Sequence, residues 1–236
     1  MDRILTPLLG RILGWFFRHL YTDLGWSYDL IAWLVSFGQW GTWRNCGLAS
    51  LPPGKVLEVG HGPGHALVDL ARKGRSPVGL DLSPQMGRQA AKRLRRMGLP
   101  ARLVRARVQA LPFPAHSLDG VLSTFPSEYV FDLQALSELH RVLPDGGTLV
   151  IVLVAHISAG RTVDRVIDWF FRASGFTKDV IGSLTGRLEA SGFSAVPERI
   201  GLPHSIVYRL ACCRIDPGRP AGQALQSPQG APWRRD

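Results

Sequence analysis

The run Lys55 to His65, KVLEVGHGPGH, restricts the possible folds more than any other stretch of the chain. Val56, Leu57 and Val59 read as a short buried strand. Gly60, Gly62 and Gly64 break it, and Ala66 to Arg72 carries a helical pattern. Strand, glycine turn and helix in that order let a ligand approach the backbone and aim the first helical amides at it. A nucleotide-like ligand is therefore expected. The glycines fall as G-x-G-x-G, whereas a dinucleotide turn requires G-x-G-x-x-G, and His65 stands at its third position. No Gly-Lys-Ser/Thr follows to cradle phosphates. Glu58, two residues before the first glycine, repels a pyrophosphate and suits a ligand with a cationic amino group. Pro77 to Leu82 reads as a second strand with Asp81 at its end, 21 positions after Gly60. A carboxylate at that strand tip reaches both hydroxyls of a ribose.

Together these residues resemble the class I S-adenosylmethionine-dependent methyltransferases, from about Tyr28 to about Cys213. The resemblance implies an α/β, Rossmann-like fold: a doubly wound seven-stranded sheet, mostly parallel with an antiparallel last strand, plus an N-terminal helical lid. It also implies S-adenosylmethionine as cofactor, held by Glu58, Gly60, His61, Gly62, Gly64, Asp81 and Leu82. The segment Tyr28 to Arg44, YDLIAWLVSFGQWGTWR, is similar to the one before the first motif in the ubiquinone and menaquinone biosynthesis C-methyltransferases. There a helical extension covers the cofactor and substrate pocket, which makes Tyr28 a cofactor-side contact and Trp33, Phe37, Trp40 and Trp43 the core of a lid. In the same family an acidic residue ahead of Leu-Pro-Phe bonds the adenine amino group. Arg107 takes that place ahead of Leu111-Pro112-Phe113, which leaves backbone groups at Val108, Gln109 and Ala110 to hold the adenine edge.

The loop after the fourth strand (Ser117 to Phe125) is where this class places substrate chemistry. Thr124-Phe125-Pro126-Ser127 is not the Asn/Asp-Pro-Pro-aromatic run of adenine amino-methyltransferases. No Pro-Cys pair exists for cytosine C5 chemistry, and Glu128 alone does not supply the two carboxylates of a protein-arginine enzyme. His61, Glu128, Tyr129 and His156 face the pocket by topology, and the sequence singles out none of them as a catalytic base. HRVLPDGGTLVIV resembles the family's motif that follows the fourth strand, with Pro144 and Asp145 at departures from it; His140 reads there as a helix-surface residue.

At 236 residues with 45% hydrophobic content, the chain can bury one substantial core with appendages. Residues 1–50 read as an amphipathic helix and lid, 51–215 as the cofactor-binding domain after the LPPG turn, and 216–236 as a disordered tail. Leu5, Leu8, Leu9, Ile12, Leu13, Phe16, Phe17 and Leu20 share one half of a helical wheel, opposite Arg3, Arg11 and Arg18. That helix either packs on its own domain or lies in an anionic membrane surface, and both readings stay open. A second basic helix runs from Ser83 to Gly98, with Ser83 as N-cap, and Arg102, Arg105 and Arg107 follow it; this charge run reads either as a solvated face or as a contact for nucleic acid or anionic lipid. The net charge of +10 favours an anionic partner, with an anionic membrane surface preferred over nucleic acid. The longest folded stretch without charge, Gly146 to Gly160, is too short to span a bilayer. Three cysteines give neither a disulfide framework nor metal spacing, so a reducing, cytoplasmic setting without a metal is expected, with a peripheral position on the inner face of the membrane as its extension. Oligomeric state is not legible.

The function expected from these readings is methylation of a small, lipophilic, lipid-like acceptor: a quinone precursor or a phospholipid headgroup. Two other readings remain. One is a degenerate, non-catalytic fold that binds RNA or an anionic partner through the basic helix; the other is a peripheral membrane protein whose first helix is the main function.

Overall fold

A computed structural model describes residues 33, 36–126, 128–157 and 181–215. Among the described residues, helix α1 (Trp40–Leu48) leads to β1 (Lys55–Val59), α2 (His65–Arg72), β2 (Ser76–Leu80), α3 (Pro84–Arg96) and β3 (Leu103–Val104). After these come β4 (Gly120–Thr124), a 3-10 turn (Glu128–Phe131), α4 (Leu133–Val142), β5 (Thr148–Ile157), α5 (Ile181–Ala190), β6 (Phe193–Leu202) and β7 (Ser205–Arg214). The sheet is seven-stranded in the order β3-β2-β1-β4-β5-β7-β6. β7 runs antiparallel to both of its neighbours, so the last strand alone reverses direction, as expected. Tyr28, the helix expected over residues 4–20 and the tail after 215 lie outside the described residues.

The period-two alternation of the central strands builds two cores. Leu57, Val59, Val121, Leu149 and Ile151 point to one face, where α4 covers them with Ala135, Leu136, Leu139 and Val142. Val56, Leu122 and Val150 point to the other and meet Leu48 from α1, Leu51 from the loop after it, and Ala66 and Leu70 from α2. The segment before residue 51 therefore contributes a layer of the sheet domain as well as any cover. Gly47 is what permits the approach of α1, because a Cβ there would stand 2.8 Å from Val152 and 2.9 Å from Leu122. The indole N–H of Trp43 donates to Ser205 Oγ at 2.8 Å and pins α1 to the start of β7.

Helix starts follow their caps. Ser83 Oγ accepts from the Met86 amide at 3.3 Å with Pro84 in the first helical position of α3. The Asp132 carboxylate accepts from Gln134 and Ala135 at the start of α4. Two expected strands are shorter than the sequence suggests. β2 stops at Leu80, whose carbonyl already takes the amides of Gly60 and His61, and Asp81 turns into the site. β4 stops at Thr124 because Phe125 adopts a positive φ of 51°. His140 is half-buried rather than a surface residue, edge-on to Phe193 at 5.5 Å and packed against Gly192.

Candidate active site

β1 and β4 are parallel neighbours whose chains leave toward opposite faces of the sheet, which opens a crevice at their C-terminal ends. The glycine turn forms one wall of it. Gly60, Gly62 and Gly64 all hold positive φ values, of 72°, 50° and 83°, a conformation that side chains with a Cβ resist. Gly64 is also pressed against α3, where a Cβ would lie 2.8 Å from the Ala90 Cβ and 3.0 Å from its Cα. Arg93 donates to the Pro63 carbonyl and ties α3 to the turn from outside.

Asp81 organises the turn from the next strand. Its Oδ2 accepts the Gly62 amide at 2.9 Å and its Oδ1 the Ser83 amide at 2.8 Å. Each carboxylate oxygen keeps further acceptor capacity, so two hydroxyls can still be taken by the same group. His61 is buried beneath this contact. Its Nδ1 lies 2.6 Å from the Gly62 carbonyl oxygen, and its ring packs over Gly79, where a Cβ would come within 2.8 Å. Burial holds the imidazole below its usual range against the opposing pull of Asp81, so the ring is neutral near pH 7. It supports the turn from within.

Glu58 is the unusual group. It is 2% exposed, one residue before the end of β1, and its Oε2 has no hydrogen-bond partner. Burial pushes the carboxyl well above the usual carboxylate range; Arg44 pulls it down, and the charges of Asp81 and Asp69 push it up again. Arg44 is itself engaged with Asp69 of α2, at 2.5 and 3.0 Å to the same oxygen. A buried acceptor left open in this way costs roughly 1–3 kcal/mol. A cationic N–H donor entering the glycine turn would recover that cost. Arg44 and Asp69 are site residues that motif reading passed over.

The other expected contacts are distributed along the crevice. Leu82 is 57% exposed at the tip beyond Asp81, and its carbonyl accepts from Arg105 at 3.0 Å. Gln109 is half-buried and Ala110 exposed, in the loop that follows the exposed Arg107. Glu138 and Arg141 of α4 clamp that loop: Glu138 accepts from the Leu111 amide at 2.7 Å, and Arg141 donates to the carbonyls of Leu111 and Phe113. Tyr129, 38% exposed, reaches across from the 3-10 turn until its hydroxyl would stand 2.5 Å from a Cβ at Gly60. The side chains of Glu128 and His156 lie outside the described residues.

An aromatic cluster stands at the C-terminal end of β4. Phe125, at the tip of β4, sits 4.5 Å from Trp40 and 6.4 Å from Trp43 by ring centroid. Ile200 and Leu202 from β6 pack against the same cluster. Trp40 and Trp43, expected as lid core, here join the strand end where substrate chemistry was expected. A positive φ at a phenylalanine costs on the order of 1–3 kcal/mol and survives only where the surroundings over-determine it.

Residues 56–147 match a family model described as a methyltransferase domain. The chain is 32% identical over 139 residues to the demethylmenaquinone methyltransferase of Thermus thermophilus, covering 56% of this chain and 63% of that relative, which is less than two thirds of its length. It is 30% identical over 232 residues to the ubiquinone/menaquinone biosynthesis C-methyltransferase of Syntrophotalea carbinolica, covering 85% of this chain and 95% of the relative. Among solved structures it resembles phosphoethanolamine N-methyltransferase 2 of Haemonchus contortus bound to phosphomonomethylethanolamine and S-adenosylhomocysteine, with a TM-score of 0.53 at 16% identity, over 73% of this chain and 53% of that one. At that identity the likeness speaks for the fold.

Proposed function

Because the chain belongs to the ubiquinone/menaquinone biosynthesis C-methyltransferase family, we propose that it transfers a methyl group from S-adenosylmethionine to a flat, lipophilic acceptor of the quinol type. The observation that carries the reading is a juxtaposition across two neighbouring strands. β1 ends in a glycine turn with a buried carboxylate that leaves one oxygen without a partner, and β4 ends in an aromatic cluster.

The residues present fit the cofactor. Glu58 Oε2 offers a buried acceptor for an ammonium group, Asp81 offers spare acceptor capacity for ribose hydroxyls, and Leu82 offers an exposed apolar surface for a base. Arg107 cannot accept from an adenine amino group, so selectivity at that edge falls to backbone carbonyls around Gln109 and Ala110. When bound, the cofactor supplies an electrophilic methyl group on a sulfonium. The protein's part is then orientation and exclusion of water. Gly60 and Gly62 let the ligand lie against backbone, Tyr129 closes over the turn, and Trp40 and Phe125, packed ring against ring, offer an aromatic surface to an acceptor ring. A phospholipid headgroup, the other acceptor suggested by the sequence, gains less from such a face.

The test is transfer of an isotopically labelled methyl group to a demethylated quinol or to phosphatidylethanolamine, read by mass spectrometry. Label on a ring carbon of the quinol supports the reading. Label on the headgroup alone replaces the acceptor, and cofactor binding with no transfer to either restores the non-catalytic alternative.

A further inference from the structure

Charge is distributed unevenly over this surface. From Leu82 to Leu118 the chain contains no aspartate or glutamate, yet it carries eight of its cations. On α3 the buried residues Met86, Ala90 and Leu94 face the core, and Arg88, Lys92, Arg95 and Arg96 occupy the opposite, exposed side. β3 is the edge strand of the sheet and only two residues long, and Arg102, Arg105 and Arg107 around it are all exposed. Arg72 of α2 extends the face, its guanidinium 3.6 Å from Met97 Sδ at the end of α3. The face reaches the site, because Arg105 bonds the carbonyl of Leu82, next to Asp81.

We propose that this carboxylate-free face of α3 and the β3 edge docks the protein on an anionic phospholipid surface, with the mouth of the cofactor crevice at its margin. Two features favour a bilayer over a nucleic acid. The segment Leu82 to Pro112 holds no aromatic residue, so the face lacks the stacking platform on which single-stranded bases are bound. Met97, 51% exposed at the end of α3, is instead an apolar side chain placed among cations, as at an interfacial surface. The docking itself stands on charge and exposure, and its use rests on the lipophilic acceptor proposed above: a membrane-borne quinol would meet the crevice without crossing water.

Full-length chain is mixed with sedimenting vesicles of phosphatidylcholine alone or of equimolar phosphatidylcholine and phosphatidylglycerol, for the wild type and for K92Q/R95Q/R96Q. These three residues lie outside the cofactor and acceptor contacts, and cofactor titration of the variant checks its fold. Binding to the anionic vesicles alone is expected, falling steeply with salt and weakened about a hundredfold in the variant, since each basic residue near such a surface contributes about fivefold. Equal binding to both vesicles overturns the proposal. So does undiminished binding by the variant, which would move the contact to the amphipathic segment of residues 4–20. Tighter binding of a single-stranded RNA than of the anionic vesicles overturns it in favour of nucleic acid. Vesicle binding without quinol methylation removes the activity and leaves the docking; methylation of a detergent-dispersed quinol without vesicle binding does the reverse.

Discussion

The two walls of the crevice are built by opposite means. The cofactor wall is polar and made of backbone: three left-handed glycines, two amides held by Asp81, and a buried carboxylate with one oxygen open. The wall proposed for the acceptor is apolar and made of side chains: Trp40 and a strained Phe125, backed by the buried Trp43. A backbone site tolerates few sequences, since every hydrogen bond and every φ must be right. An aromatic wall tolerates many, since area and flatness suffice. The proposed division follows: one wall is fitted to a fixed ligand, and the other can be retuned without rebuilding the fold.

The largest effect expected is on the cofactor wall. Asp81→Ala removes two acceptors from the turn and the group proposed for the ribose, so cofactor affinity should fall at least about a hundredfold, equivalent to about 3 kcal/mol. Calorimetric titration measures this. An unchanged affinity would show that the carboxylate only braces the turn.

Next comes the rigidity of that wall. Gly64→Ala forces a Cβ against the Ala90 Cβ and backbone at a φ of 83°, and should lower unfolding free energy by roughly 1–3 kcal/mol in denaturant titration. A substitution without cost would mean that α3 moves freely relative to the turn.

Glu58 separates stability from binding. Its folded-state pKa lies above the unfolded value, so its contribution to stability is complete below the ordinary carboxylate range and is lost as pH rises through the folded value. Glu58→Gln should therefore raise the melting temperature of the free chain near pH 7 and flatten this part of its pH dependence. The same change should weaken cofactor binding, and should remove the rise in affinity with pH that accompanies ionisation of the buried carboxyl. A destabilised variant with unchanged binding would contradict both halves of the prediction.

The smallest effect belongs to the acceptor wall. Glycine accepts the φ of 51° at residue 125, so Phe125→Gly exchanges relieved strain for lost aromatic contact and should change stability by no more than about 1 kcal/mol. Acceptor KM should rise about tenfold, as expected for the loss of one aromatic contact of roughly 1.4 kcal/mol, with cofactor affinity unchanged. Equal losses for both ligands would dissolve the distinction between the walls.

The same contrast explains what could be read from the sequence. Glu58, the three glycines and Asp81 were legible because a backbone site needs particular residues at particular spacings, and the structure brings them together around one turn. The sheet was legible for a related reason, since short aliphatic runs such as VLEV and LVIV, bounded by glycine turns, suit central strands buried on both faces. Arg44 and Asp69 were missed because an ion pair between helices 25 residues apart leaves no local pattern. Phe125 was quoted as part of a strand end, but a left-handed phenylalanine is imposed by tertiary packing and has no signature in composition. Trp40 and Trp43 read as lid core because apolar periodicity reports burial without telling which surface does the burying.

The most direct test of the account is calorimetric titration of the full-length chain with S-adenosylmethionine and S-adenosylhomocysteine, beside Glu58→Gln. The account predicts micromolar binding of both to the wild type despite Arg107, and weaker binding of both to the variant, since the two ligands share the ammonium group. Absence of binding to the wild type, or equal affinity in the variant, would contradict the assignment of the buried carboxylate as the cofactor's anchor.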